Sequence, residues 1–296
     1  MRKFVFAMVM AAVGCCSVSA QNASVRNLGE SKYEMAMGEL AMVIDAGKGG
    51  KILSFKHGEL ESISQLTMRE TFGSTFWTSP QKEWNWPPVQ EYDKMPYAVE
   101  ERDGALVMTS QVSERLKYQI RKEFAIDEAD NAFVITYSIV NRGDMPRKVA
   151  PWEITRVLNE GGLIFFDAPV EGITPVNLMD FSSKYGAAWY LSDEAAENRK
   201  INADGKGWLA YKNDKFLLIK TFEDLEAGMS APDEAEIQIY VNRGRTYIEL
   251  ESQGAYTELQ PGESLNWSVR WYLLPDDAPV KPSKALVRKV KKVVSK

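Results

Sequence analysis

Three short stretches of this 296-residue chain hold residue types at spacings from which chemistry can be built. The first is Thr75-Phe76-Trp77-Thr78-Ser79-Pro80-Gln81-Lys82-Glu83-Trp84-Asn85-Trp86-Pro87-Pro88. Sugar rings pack patches of C–H on aromatic faces, and their hydroxyls take amides and carboxylates as partners. Trp77, Trp84 and Trp86 with Gln81, Glu83 and Asn85 supply both kinds of group. The prolines fix the backbone and lower the entropy lost when a ligand orders the loop. The same indoles would also plug an open end of a sandwich core, and one loop can do both.

The second stretch is Pro151-Trp152-Glu153-Ile154-Thr155-Arg156. If extended, it sets Trp152, Ile154 and Arg156 on the face opposite Glu153 and Thr155. The third runs from Tyr247 to Tyr256, with Ile248 and Leu250 on one side and Tyr247, Glu249 and Glu251 on the other. Adjacent carboxylates on one strand face repel each other, which raises one pKa toward a range useful for proton transfer. Two solvated glutamates on an outer face are the plain alternative. The candidate catalytic groups are therefore Glu251, Glu249 and Glu153. The candidate ligand-binding groups are Trp77, Gln81, Trp84, Asn85, Trp86, Trp152 and Tyr256.

Several chemistries are disfavoured by composition. The only histidine, His57, sits in the turn signal Phe55-Lys56-His57-Gly58-Glu59, where a surface position is expected. Both cysteines, Cys15 and Cys16, fall in the first twenty residues. No zinc site can be assembled from one histidine, and no calcium-loop spacing appears. A histidine triad would have to use His57, and no nucleophile elbow precedes a helix. Gly47-Lys48-Gly49-Gly50 lies in a hairpin rather than before a helix, so it is no phosphate loop. No metal and no cofactor is expected.

The elements that must position these groups read as strands. Leu40 to Asp45 and Lys51 to Phe55 flank a glycine turn. Lys117 to Ile126 and Ala132 to Asn141 flank a polar one. Ala105 to Met108, Trp208 to Tyr211, Phe216 to Phe222, Glu236 to Val241, Thr246 to Glu251 and Leu265 to Leu274 continue the rhythm. Ile237, Ile239 and Val241 alternate with Glu236, Gln238 and Tyr240, the mark of half-buried antiparallel strands. A helical pattern competes only over Asp193 to Arg199 and in the tail. Residues 68–97 and 167–185 read as long connections, which in a compact domain are usually functional. The fold class is all-β, a large antiparallel sandwich.

The N-terminus has a charged start at Arg2-Lys3, an apolar run from Phe4 to Gly14 and a small-residue exit at Val18-Ser19-Ala20, the three parts of a secretory signal. Residues 1–20 are read as a signal peptide, 21–279 as one β-sandwich domain and 280–296 as a basic tail. Ala12-Val13-Gly14-Cys15 also loosely resembles a lipoprotein box, so lipidation at Cys15 or Cys16 competes with simple cleavage. An exported, periplasmic location is expected. Of 36 basic residues, two lie in the signal and seven after Pro279, leaving 27 against 41 acidic ones between them. Such an acidic body disfavours nucleic acid as a partner. No later stretch is long and apolar enough to span a membrane. The tail is expected to be a solvated, frayed terminus, with an amphipathic helix as the alternative. Oligomeric state is left open.

Asp45 to Phe55, Asn141 with Pro151-Trp152-Glu153, and Glu249-Leu250-Glu251 to Leu259-Gln260-Pro261-Gly262-Glu263-Ser264 occur in an order similar to that of galactose mutarotase-like proteins. With the Trp-rich loop, the chain resembles a bacterial family of that superfamily over roughly residues 30–275. The resemblance implies a β-supersandwich with a carbohydrate site on its open concave face. For an aldose 1-epimerase-like activity it also implies a glutamate base, Glu251 or Glu249 here, and a histidine acid. This sequence departs on the acid, since His57 lies well upstream of the family's catalytic histidines; Tyr256 and Tyr92 are the substitutes considered. Three readings follow: a carbohydrate-binding protein, a carbohydrate-active enzyme (epimerase-like, or a glycosidase with paired carboxylates), and a structural envelope module.

Overall fold

The computed structural model describes residues 23–68 and 71–295. The signal segment, with Cys15, Cys16 and the expected mature start at Gln21, lies outside the described residues.

The chain first lays down one side of sheet I, with β1 (Ser24–Gly29), β2 (Lys32–Met37), β3 (Leu40–Asp45), β4 (Lys51–His57), β5 (Leu60–Glu61) and β6 (Ser74–Ser79). After a four-residue helix, α1 (Gln90–Asp93), it crosses to sheet II for β7 (Ala98–Arg102), β8 (Ala105–Val112), β9 (Tyr118–Asp127) and β10 (Ala132–Asn141). It returns to sheet I for β11 (Arg147–Leu158), then builds β12 (Leu163–Phe166), β13 (Phe181–Lys184) and β14 (Ala187–Leu191) in sheet II. Sheet I receives β15 (Arg199–Ala203), and sheet II receives β16 (Trp208–Lys212) and β17 (Phe216–Thr221). The last strands are β18 (Ile237–Val241), β19 (Tyr247–Gln253) and β20 (Thr257–Leu259) in sheet I, then β21 (Ser264–Pro275) in sheet II, before helix α2 (Lys284–Val294).

Sheet I runs β1-β2-β3-β4-β6-β11-β19-β18-β15 and sheet II runs β13-β14-β12-β16-β17-β21-β10-β9-β8-β7; every pairing is antiparallel. The inner faces meet in an aromatic core, with Phe76 stacked on Tyr137 at 4.3 Å and Phe55 edge-on to Phe133 and Trp271. Gly49 shows why the turn after β3 needs glycine. Its φ is +68°, and a Cβ there would stand 2.6 Å from the backbone of Asp93.

Three expectations are corrected. Residues 68–97 are not one long connection, because they contain β6, which lies centrally in sheet I with every residue buried. A strand covered on both faces loses its period of two, which is why Ser74 to Ser79 gave no strand signal. The helical pattern at Asp193 to Arg199 yields no helix; Arg199 instead opens β15. The basic tail is not frayed. Ser283 caps α2 by accepting from the Leu286 amide at 3.2 Å, and Leu286, Val287 and Val290 are buried in the core. Among the described residues, no helix is long and apolar enough to cross a membrane.

Candidate functional site

Antiparallel partners share a face, so the register of sheet I shows what its outer face presents. One row runs Thr75, Ile154, Glu251, Gln238 and Asn202 across β6, β11, β19, β18 and β15. The row beside it holds Arg156, Glu249, Tyr240 and Lys200, and the row on the other side holds Trp77, Trp152 and Gln253. The strands thus gather Trp77, Trp152, Glu249 and Glu251 from three parts of the sequence onto one surface.

Glu251 is the centre of that surface, with 1% of its area exposed. Its Oε2 accepts from Trp152 Nε1 at 2.7 Å and from Lys200 Nζ at 2.9 Å. Its Oε1 is buried with no hydrogen-bond partner among the described residues, and the same holds for Gln253 Oε1. Burial pushes the Glu251 carboxyl up to about 7; Lys200 pulls it down and Glu249 adds to the rise. Lys200 lies over the Trp152 ring, 4.5 Å from its centroid. Glu249 is held differently, by Arg156 Nη2 at 2.7 Å. Arg156 in turn lies 5.9 Å from the ring centres of Trp77 and Tyr247.

Beside Glu251 opens a cavity of about 390 Å³, lined by Gln81, Lys200, Asn202, Asp233, Glu234 and Gln238 with Thr174 and Pro175. Its amides are fixed in place. Glu234 accepts from the Gln81 backbone N–H at 3.0 Å and from the side-chain amides of Gln238 at 2.9 Å and Gln253 at 3.2 Å. Gln238 also donates to Asn202 Oδ1 at 2.8 Å. A single carboxylate therefore joins the Trp-rich loop to the strands beneath it.

The structure divides the other sequence candidates. Trp77 donates to Asp93 Oδ1 and Trp84 to the Thr78 carbonyl; both rings are buried, in edge contact with one another and against Trp152. Asp93 is shared by Lys51 and Thr75, so Trp77 is pinned from below. Trp86 touches Trp77 but is 64% exposed, and Asn85 is an exposed turn residue with φ +57°. The loop is thus a plug with one free indole. Of the eight tryptophans the other seven are at most 6% exposed. Trp86→Ala is accordingly expected to abolish most acrylamide quenching of indole emission while changing stability by under ~0.5 kcal/mol.

Glu153 does not join the site. Alternation turns it inward, where it is fully buried, ion-paired to Lys220 of sheet II and hydrogen-bonded by Ser74 and Thr155. Tyr92 is also removed as a proton donor to the face, because it is fully buried and donates to the Tyr118 carbonyl. Tyr256 is half-buried beside Glu83 and Lys82. His57 ends β4, three strands from β19, with Nδ1 3.5 Å from a Glu39 carboxylate oxygen.

No protein-family model and no curated protein matches the sequence. Solved structures match its backbone. A galactose mutarotase-like protein from Clostridium acetobutylicum aligns with TM-score 0.58 at 8% identity, over 87% of this chain and 99% of that one. One from Lactobacillus casei gives 0.57 at 11%, over 82% and 99%. A galactose mutarotase related enzyme from Lactobacillus acidophilus gives 0.56 at 12%, over 85% and 100%. This chain has the galactose mutarotase-like fold.

On this mutarotase-like sandwich the site residues missed in the sequence are Lys200, Asn202, Glu234 and Gln238. Gln238 carried a usable signal, since it stands on the polar side of the alternation Glu236, Gln238, Tyr240. Lys200 and Asn202 did not, because the residues before them carry a helical pattern that hides the short strand.

Proposed function

We propose that this protein is an exported carbohydrate-binding protein that holds a sugar over the outer face of sheet I, in the cavity bounded by Gln81, Lys200 and Gln238. The observation that carries the reading is the cavity's wall of oriented polar groups, in which Glu234 fixes the Gln238 amide, Gln238 donates to Asn202, and Glu251 holds Lys200 from behind. Fixed donors and acceptors facing one cavity are what a ligand rich in hydroxyls pairs with. Lys200, Asn202 and the oriented amides then answer its oxygens. The mutarotase-like fold supports a sugar as the ligand class. Export rests on the N-terminal signal pattern; recovery of the protein only with the cytosolic fraction would remove that part.

The test is titration with a panel of mono- and oligosaccharides, followed by tryptophan emission, because Trp152 lies directly under Lys200. Gln238→Ala is expected to weaken the best ligand roughly three- to tenfold, the value of one or two neutral hydrogen bonds. A panel that produces no response by fluorescence or calorimetry sinks the proposal.

A second reading, an aldose 1-epimerase-like isomerase, is favoured by one observation. Glu251, whose carboxyl burial raises to about 7, accepts from Lys200 at 2.9 Å, which sets a carboxyl in a range useful for acid–base work beside a cavity-lining donor. Mutarotation followed by NMR decides it; rates no faster than spontaneous on every sugar bound would leave binding alone.

A further inference from the structure

Helix α2 turns its apolar residues inward and its charges outward. Leu286, Val287 and Val290 are buried, while Lys284, Arg288, Lys291 and Lys292, at intervals of four, three and one, share the opposite side, with Lys281 just ahead of them. All five are exposed, and none has an acidic partner among the described residues; the neighbouring Lys289 is the one that pairs, with Asp276 at 2.6 Å. The helix is about 16 Å long, so the four cations on it form one stripe.

Its place in the fold follows from its contacts. Lys284 Nζ lies 6.0 Å from the ring centre of Tyr185, in the turn between β13 and β14, and Lys289 reaches Asp276 just beyond β21. Those two points lie at opposite ends of the strands of sheet II. The strands between them, β16 and β17, are buried at every position, as strands covered on both faces are, whereas β9 alternates. The helix therefore crosses the outer face of sheet II, on the opposite side of the sandwich from Glu251.

We propose that the outward face of α2 is a docking surface for an anionic phospholipid bilayer, and that docking turns the cavity of sheet I away from the lipid. Charge complementarity is the first argument, since the stripe stands out on a body carrying a large acidic excess. The second argument selects a bilayer over a soluble polyanion. Tyr185, 48% exposed, and Val294, 41% exposed, are exposed apolar groups on and beside the helix, and a tyrosine at headgroup depth is a membrane-interface feature. A soluble acidic polymer has no use for them.

The experiment is co-sedimentation of the full chain, as purified from the producing cell, with phosphatidylcholine vesicles with and without phosphatidylglycerol. Binding is expected only to the anionic vesicles, and high salt abolishes it. An apolar N-terminal segment, where retained, binds both lipids alike, so the difference between them is the readout. Combining Lys284→Gln, Arg288→Gln, Lys291→Gln and Lys292→Gln is expected to weaken binding roughly a hundredfold or more. The reverse exchange, Lys284→Arg, Arg288→Lys, Lys291→Arg and Lys292→Arg, retains it and covers the case in which the neutral variant does not fold. Equal binding to both lipids, unchanged binding of a folded neutral variant, or binding to dextran sulfate but not to anionic vesicles overturns the proposal.

Discussion

Lys220→Met is expected to destabilise the protein by about 3–5 kcal/mol, the cost of leaving one member of a buried ion pair without its partner. Lys220 and Glu153 are both fully buried, one from each sheet, and their contact is a charged bridge between the sheets. Burial holds the Lys220 ammonium below its usual range while Glu153 opposes that shift, so the Lys220 charge depends on Glu153 to persist there. Methionine fills a similar volume but strands the Glu153 carboxylate, which keeps the hydroxyl donors of Ser74, Thr155 and Ser252. Adding Glu153→Gln is expected to recover much of the loss, because the pair then becomes neutral together. Urea unfolding of the wild type, the two single variants and the double variant measures the coupling directly. A Lys220→Met midpoint within error of wild type would show that the pair contributes nothing to stability.

Glu251→Gln is expected to raise stability at alkaline pH and, on the binding reading proposed above, to weaken the ligand. The carboxyl is raised in the folded state from 4.5 to about 7. Its favourable contribution is therefore complete below about pH 4.5 and is lost as pH rises toward about 7. Glutamine binds no proton and escapes that loss. The variant should gain roughly 2 kcal/mol over wild type at about pH 8, less than the full displacement because Lys200 loses its counter-ion. Ligand affinity should move the other way. Trp152 and Lys200 both donate to Oε2, so the amide oxygen of glutamine takes that position and its NH2 group replaces Oε1. The charge that holds Lys200 at the cavity wall is lost, which costs about tenfold in affinity for a hydroxyl that Lys200 holds. Unfolding midpoints at acidic and alkaline pH, read beside the sugar titration, check both halves. A variant that binds sugar as well as wild type would take Glu251 out of the site.

How much of this was legible in the sequence depended on how many faces of each strand are covered. Ala132 to Asn141 was read to the residue, because one face of β10 is less buried and its period survives. The alternation of Glu236 to Val241 placed Gln238 and Tyr240 on the correct side. Where both faces are covered, as in β6, polar residues are buried along with apolar ones and the pattern disappears. Glu153 was grouped with Glu249 and Glu251 as a carboxylate, although its own alternation with Trp152 already turned it away. The pairing of Glu153 with Lys220, 67 residues later, depends on how two sheets stack, and no local pattern encodes that. The join between Gln81 and Glu234, 153 residues apart, is hidden for the same reason.

That join has a consequence for how such a protein can change over generations. Glu234 holds the loop through the backbone N–H of residue 81, not through its side chain, whereas it holds the floor through the side chains of Gln238 and Gln253. Any residue that keeps an N–H can occupy position 81 without loosening the wall of the cavity. Positions 234, 238 and 253 can be exchanged only together. Ligand preference is thus free to drift at one position while the frame that presents it stays fixed, and a library randomised at position 81 should yield folded proteins with altered sugar selectivity far more often than one randomised at 234.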